Sequence, residues 1–338
     1  MSRDSVIEQW HPECYMIFKL WSVKLSSSKI NPPPAPETQI SAEEETRRQV
    51  STIEKVSKIL AVLSAFEESS AECIQEMLTD FSSINYSRGV IQAEKFISHI
   101  EALFKSLDLI EATLRNHNDS MGYNLFNKEP KHLAKKIVAF FTRLSQGKET
   151  TVKSESTKQL IELVTNLARE LKGLIRFALK GSLKLDNVYH HTDAVESFLD
   201  ILSKLGQVKK FDTISPVYTE DDSLVDIDLC ISCQRPVEDA NAAIDCMHWH
   251  LRCIKCLKCE KTGGGDDALT IDSAWYQDRA IVCADHFRKN MQSYSFLHVT
   301  QLDQYIFLLR CALKRLCIQL NVRIGIFIFI KAMFQILR

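Results

Sequence analysis

The chain has 338 residues, 45% hydrophobic and 25% charged, with 42 basic against 43 acidic side chains and a net charge of −1. That length suffices for two or three domains, and the apolar content is that of a folded globular protein. The near-zero charge argues against a generic nucleic-acid binder. No apolar leader opens the sequence and no cysteine spacing suggests a disulfide framework, so a reducing, cytoplasmic compartment is expected.

Residues 1–22 contain a W-H-P-E-C step at Trp10, His11, Pro12, Glu13 and Cys14. His11 and Cys14 supply two metal-type ligands, too few to grip an ion tightly, and their binding one is left open. Residues 23–40 turn to Ser and Pro, with Pro32, Pro33, Pro34 and Pro36. Such a stretch cannot continue a helix and reads as an extended linker; recognition of its prolines by an SH3-like partner is the alternative.

A helical region is predicted over residues 41–206. Ser41 with Glu44 forms a capping-box pattern at its start. Apolar side chains then recur at helical spacing at Ile53, Val56, Ile59, Leu60 and Leu63, and again at Val90, Ile97, Ile100, Phe104, Leu107 and Leu114. Further stripes run through Leu133, Ile137, Phe140, Phe141 and Leu144, and through Leu160, Val164, Leu167, Leu171 and Leu174. Five or six helices with breaks such as Asn116 to Pro130 imply an antiparallel bundle. The same stripes could serve as coiled-coil or docking surfaces. His190 and His191 are adjacent, so they diverge on a helix and make no joint metal site. Lys209 and Lys210 form too short a basic patch to argue for nucleic acid. Residues 207–229, with Glu220, Asp221, Asp222, Asp226 and Asp228, read as a solvated acidic linker.

The stretch 230–287 carries the chemistry. It reads C-x2-C-x16-H-x2-C-x2-C-x2-C-x23-C-x2-H, through Cys230, Cys233, His250, Cys253, Cys256, Cys259, Cys283 and His286. Zn²⁺ takes four thiolate or imidazole ligands in a tetrahedron, and a pair spaced by two residues lets one tight turn deliver two of them. Eight ligands in four pairs make two Cys3His sites, closed as in structural zinc rather than open for catalysis. Cys246 and His248 are spare candidates for the first site, but only His250 has the two-residue spacing to Cys253. A RING-type cross-brace fits the Cys246-x-His248 step poorly. A zinc deaminase would need an H-x-E step that is absent. The five other cysteines, Cys14, Cys73, Cys246, Cys311 and Cys317, follow no pattern. Lys255, Lys258, Lys261, Arg288 and Lys289 could face phosphate, yet Glu260, Asp266 and Asp267 offset them.

Residues 288–338 are expected to form a helix, with Thr300 as its cap and Leu302, Ile306, Leu309, Leu313, Leu316 and Leu320 on one face. An apolar tail follows from Ile324 to Leu337. It is shorter than the roughly 20 apolar residues a spanning helix needs and carries Lys331 and Gln335, so a buried or peripheral segment is preferred to a membrane span.

The ligand order of 230–287, the Trp249, His250, Leu251, Arg252, Cys253 step and the Cys283, Ala284, Asp285, His286, Phe287 ending resemble a LIM domain. The resemblance implies that the first four ligands hold one zinc ion and the last four the other, with Ile254 and Lys255 between the halves. It also implies a surface for binding proteins. Two details depart from the LIM pattern: Ile254 stands where an aromatic is common, and Gly263, Gly264 and Gly265 lengthen the second loop. The Trp10 to Cys14 step then looks like a degenerate, partial remnant of a LIM repeat.

Together, W-H-P-E-C near residue 10, a helical spacer, a separated zinc unit and a V-T-Q-L-D-Q-Y helix from Val299 to Tyr305 resemble the N-terminal part of fungal LIM-containing Rho-type GTPase-activating proteins. That family carries a catalytic domain further downstream. Such a domain needs on the order of 150 residues and an arginine finger, whereas 52 residues follow His286 here. The sequence-level expectation is therefore a mostly α protein: a multi-helix bundle, a small two-zinc module of short hairpins and a C-terminal helix. It is expected to act as a non-enzymatic adaptor for protein partners in Rho-type GTPase signalling, without nucleic-acid or membrane partners. The alternatives are an N-terminal fragment of a Rho GTPase-activating protein and a membrane-tethered scaffold.

Overall fold

A computed structural model of the chain describes residues 10–25, 42–119, 123–146, 154–204, 229–244, 247–259 and 269–322. The Ser41 cap, the proline linker, the acidic linker, Cys246, the glycine run and the apolar tail lie outside the described residues. Seven helices are seen among them: α1 (Pro12–Trp21), α2 (Ala42–Ser82), α3 (Tyr86–Asn116), α4 (Tyr123–Gln146), α5 (Ser154–Tyr189), α6 (Ala194–Ser203) and α7 (Gln301–Leu320). The mostly helical class expected from the sequence is what the structure shows, with small antiparallel sheets set between α6 and α7.

Most of the apolar stripes are inside, but Ile53, expected on the core stripe of α2, is 46% exposed, and the buried face begins at Val56. Ile59 and Leu63 of α2, Ile97, Ile100, Phe104 and Leu107 of α3, and Ile137 and Phe140 of α4 share one core with Leu167, Ile175 and Leu179 of α5. α2 and α3 form a tight helical hairpin in which Gly89 approaches Phe81 so closely that an added Cβ would lie 2.5 Å from the ring. Polar groups that interrupt the stripes are locally satisfied: the hydroxyls of Ser70, Ser106 and Ser182 each donate to the carbonyl one turn back.

Two segments depart from expectation. Pro130 does not mark a break; it lies inside α4, buried. A proline there deletes the single N–H that would bond the carbonyl four residues earlier, while its ring joins the inward face with Leu133, Ala134 and Ile137. Residues 12–21 form a helix that begins at Pro12, where the missing N–H would have no helical partner anyway. Ile17 and Trp21 of that helix are buried in the bundle core, and the Trp21 indole donates to Glu67 of α2 at 2.6 Å.

α7 joins the bundle rather than standing apart. Its Leu302, Ile306, Leu309, Leu313, Leu316 and Leu320 are buried in the same core as α3 and α4. Thr300 caps it as expected, accepting from the Asp303 N–H at 3.0 Å, and Asn321 ends it in the left-handed region at φ 52°. Arg310 ties it to α3 through Glu101 at 2.6 Å.

Six strands make two three-stranded antiparallel sheets: β1 (Asn241–Ile244), β2 (Met247–His250), β3 (Ala274–Gln277), β4 (Ala280–Cys283), β5 (Ser293–Ser295) and β6 (Leu297–Val299). The orders are β2-β1-β6 and β4-β3-β5. The β3–β4 hairpin turns on Asp278 and Arg279, both with positive φ, the pattern of a two-residue turn matched to strand twist. Trp249, 1% exposed, contacts Tyr276 of one sheet's hairpin and Phe296 beyond it, so the two sheets share a small second core.

Candidate metal centres

Each cysteine pair sits on a tight turn whose partner ligands arrive on a hairpin. Cys230 and Cys233 flank a loop closed by the Cys230 N–H donating to the Arg235 carbonyl and by the Gln234 N–H donating to the Cys230 carbonyl. Gln234 takes a positive φ there. The Ile231 N–H bonds the His248 carbonyl at 2.9 Å, pinning this loop to β2, which delivers His250 at its end. In the second centre the Leu257 N–H bonds the Ile281 carbonyl at 2.9 Å, so the Cys256 and Cys259 turn lies against β4, which ends in Cys283.

The eight ligand atoms assemble into two groups: Cys230, Cys233, His250 and Cys253, then Cys256, Cys259, Cys283 and His286. Within each group all four atoms lie within 4.8 Å of one another. His250 Nδ1 is 3.3 Å from Cys233 Sγ and 3.8 Å from Cys253 Sγ. His286 Nδ1 is 3.3 Å from Cys283 Sγ and 3.6 Å from Cys256 Sγ, and the Cys259 and Cys283 sulfurs are 3.7 Å apart. Tetrahedral bonds of about 2.3 Å to sulfur and about 2.0 Å to nitrogen set ligand-to-ligand gaps of roughly 3.5 to 3.8 Å. The two groups are therefore spaced to hold metal ions.

Hydrogen bonds prepare them. His250 Nε2–H donates to the Pro236 carbonyl at 3.0 Å, which leaves Nδ1 as the free lone pair aimed at the sulfurs. Burial alone would push the Cys230 thiol up, but the backbone N–H groups of Cys233, His250 and Ser232 outweigh it and bring the group down to about 7. Cys256 is likewise raised by burial and lowered more strongly by backbone N–H groups at Cys283, Lys258 and Cys259, to about 6. Cys253 has no such net gain: burial and the neighbouring Cys230 push it up to about 11. Backbone donors thus favour the thiolate at Cys230 and Cys256, whereas Cys253 would need a cation beside it to lose its proton at neutral pH.

His248 belongs to neither group. Its Nδ1–H donates to Asn241 Oδ1 at 2.9 Å and its ring lies 4.4 Å from that of Phe307 on α7. His11 and Cys14 are absent from both groups as well, His11 facing Glu13 at 2.9 Å. His191 does not pair with His190 but with His117, the two Nε2 atoms being 2.8 Å apart.

The structure also reveals residues that periodicity does not mark. Asn241 Nδ2 donates to Gln304 Oε1 at 2.8 Å, and Gln304 Nε2 donates to the Val237 carbonyl at 2.8 Å. Both residues are 0% exposed. With His248 they form a buried polar relay from the hairpin of the first centre to α7. Thr300 completes the joint by donating to Asp108 of α3 at 2.6 Å. Gln304 lies off the leucine stripe of α7 and Asn241 opens a short strand, so only the pairing β1–β6 reveals their meeting.

A mostly helical chain carrying two Cys3His clusters on short hairpins is the class that fold and site define. No family model matches the chain, and no solved structure matches it. Among curated proteins it is similar to Rho-type GTPase-activating protein 1 of Schizosaccharomyces pombe, with 31% identity over 323 residues. It is also similar to Rho-GTPase-activating protein LRG1 of Saccharomyces cerevisiae, with 26% identity over 335 residues. These matches cover 93% and 91% of the chain. The chain spans 28% and 32% of the two relatives' own lengths.

The resemblance to Rho-type GTPase-activating proteins drawn from short motifs thus extends along nearly the whole chain. The expectation of a chain with no enzymatic role is corrected by the same finding, because the relatives that match more than nine tenths of this chain are named as GTPase activators. That expectation rested on the 52 residues that follow His286, fewer than the roughly 150 a catalytic domain needs, and the length of sequence after one motif does not decide activity.

Proposed function

We propose that the chain works in Rho-type GTPase regulation as the zinc-stabilised, helical part of a GTPase-activating protein, with the Cys230 to His286 unit acting as a LIM-type protein-binding module. The observation that carries this reading is the match to two Rho-type GTPase-activating proteins over more than nine tenths of the chain. The Cys3His clusters add the metal: three thiolates and one imidazole suit Zn²⁺, and a closed shell suits a structural role. On this reading residues 10–25 with α2 to α6 and α7 form the scaffold, and the module presents its surface from it.

The test is direct. The zinc-loaded chain is titrated against a Rho-type GTPase loaded with a non-hydrolysable GTP analogue, and single-turnover GTP hydrolysis is followed with and without the chain. Saturable binding or a changed hydrolysis rate, lost on chelation and regained with added zinc, is the expected result. A chain that neither binds the GTPase nor alters hydrolysis in its zinc-loaded form overturns the proposal.

A further inference from the structure

Charge is segregated across the bundle. α4 and α5 together carry eleven Lys and Arg against five Asp and Glu. α2 and α6, which pack on each other, carry four against eleven. The near-zero net charge of the chain therefore conceals one basic and one acidic pair of helices.

α4 and α5 pack side by side, with Lys136 of α4 bonded to Glu170 of α5 at 2.5 Å across the seam. α4 turns Leu133, Ile137, Phe140, Phe141 and Leu144 inward. Its outward face carries Lys128, Lys135 and Arg143, all exposed. The adjoining outward stripe of α5 carries Lys158, Arg176 and Lys180, also exposed, with Glu162 as its one exposed carboxylate among the described residues. None of these six cations has an ion-pair partner among the described residues. At a rise of about 1.5 Å per residue the α5 stripe is about 33 Å long and the α4 stripe about 22 Å.

We propose that the outward face of α4 and α5 docks the protein on an anionic lipid surface. A protein partner would be expected to meet aromatic or Arg anchors seated in pockets, and Lys is depleted at such interfaces. Here four of the six cations are lysines, the aromatic side chains described on α4 and α5, Phe140, Phe141, Phe177 and Tyr189, are buried or half-buried, and two hollows of the described surface lie elsewhere, one between α3 and α6 and one along the ends of α2 and α3. Nucleic acid is disfavoured by the same lack of stacking side chains. A lipid surface requires no pocket, only many cations brought near it at once. This attachment is peripheral, and no helix among the described residues is long and apolar enough to cross a membrane.

The experiment is vesicle co-sedimentation of the zinc-loaded full chain. Vesicles of phosphatidylcholine alone are compared with vesicles containing about 30 mol % phosphatidylserine, over roughly 50 to 300 mM NaCl. Binding to the anionic vesicles only, falling with salt, is expected. Each cation near such a surface multiplies partitioning about fivefold, so Lys135→Glu with Arg176→Glu and Lys180→Glu is expected to weaken it at least a hundredfold. The control reverses three exposed cations elsewhere, Arg47→Glu, Lys204→Glu and Lys289→Glu, and is expected to retain binding within about fivefold. Circular dichroism confirms that both triple variants keep the helical fold. Equal binding to neutral and anionic vesicles, or equal losses in the two triple variants, overturns the proposal. So does a chain that ignores vesicles yet is retained on a polyglutamate resin through this same face, since the partner is then an acidic protein.

Discussion

The helical bundle and the metal module solve the same problem with different materials. In the bundle, seven helices bury long leucine, isoleucine and phenylalanine stripes against one another, and order follows from apolar area removed from water. In the module, three of the twelve buried core residues are cysteines that belong to the ligand groups, and the remaining apolar set is small. A unit of this size excludes little water against the entropy of its many turns, and metal held by the two ligand groups would supply what burial does not. The contrast teaches where each half is vulnerable: the bundle to lost volume, the module to lost ligands.

Removing a ligand is the largest perturbation. Cys253→Ala and Cys283→Ala each leave three ligands for an ion whose binding contributes on the order of 10 kcal/mol to a small fold. Elemental analysis is expected to find about one zinc ion per chain in either variant instead of about two. Limited proteolysis is expected to open residues 230–290 while leaving α2 to α5 resistant. Unchanged zinc content in both variants would break the comparison, because the module would then be held by something other than these ligands.

Removing volume from the bundle ranks next. Leu309 on α7 is 0% exposed and packs with the cores of α3 and α4. Leu309→Ala is expected to cost about 2 to 5 kcal/mol in urea unfolding followed at a helical band, with zinc content unaffected. A loss below about 0.5 kcal/mol would mean that α7 merely rests on the bundle.

A smaller change probes the joint between the two materials. Gln304→Leu leaves Asn241 Nδ2 without its side-chain partner and the Val237 carbonyl without its donor, both in a dry setting. A penalty of about 1 to 3 kcal/mol is expected. The double variant Asn241→Leu with Gln304→Leu is expected to cost less than the sum of the two single changes, because each alone already breaks the Asn241–Gln304 bond, while His248 loses its acceptor whenever Asn241 is replaced. Strict additivity in that cycle would show that the relay does not couple module and bundle.

These variants also separate what could be read from the sequence from what could not. The two Cys3His groups were legible because pairs spaced by two residues mark themselves locally, as at Cys230 and Cys233 and at Cys256 and Cys259, and the structure brings them together. The helices were legible because burial imposes a period, as at Val56 to Leu63 and Leu133 to Leu144, although Ile53 continues the period without being buried. Pro130 misled because a proline's local cost can be outweighed by the tertiary packing of its ring. The Trp10 to Cys14 step misled because two ligand types at one spacing are insufficient to tell a zinc turn from the start of a helix. The docking of α7 into the bundle was hidden for a different reason: its leucine stripe states that the helix is buried but carries no address.

The smallest effect lies at the same joint and depends on pH. Asp108 on α3 accepts from the Thr300 hydroxyl that begins α7, and burial, against the pull of that bond, raises its carboxyl to about 6 from an ordinary 3.8. Nearby Asp303 and Glu111 push it the same way, while Arg115 opposes them. A carboxyl raised on folding binds its proton more tightly in the native state, so its stabilising contribution is full below about pH 4 and is lost as pH rises through about 6. At pH 7 the charged form is held in a partly dry site. Asp108→Asn keeps an acceptor for Thr300 and removes that charge, so it is expected to stabilise the zinc-loaded chain by about 1 kcal/mol at pH 7, after allowance for partial solvation. The advantage should shrink toward pH 5. Comparing the variant with the parent at each pH cancels the loss of metal that acid causes in both. Parallel stability profiles across that range would show that the Asp108 carboxylate is solvated and that the contact between α3 and the start of α7 is looser than its 2.6 Å hydrogen bond indicates.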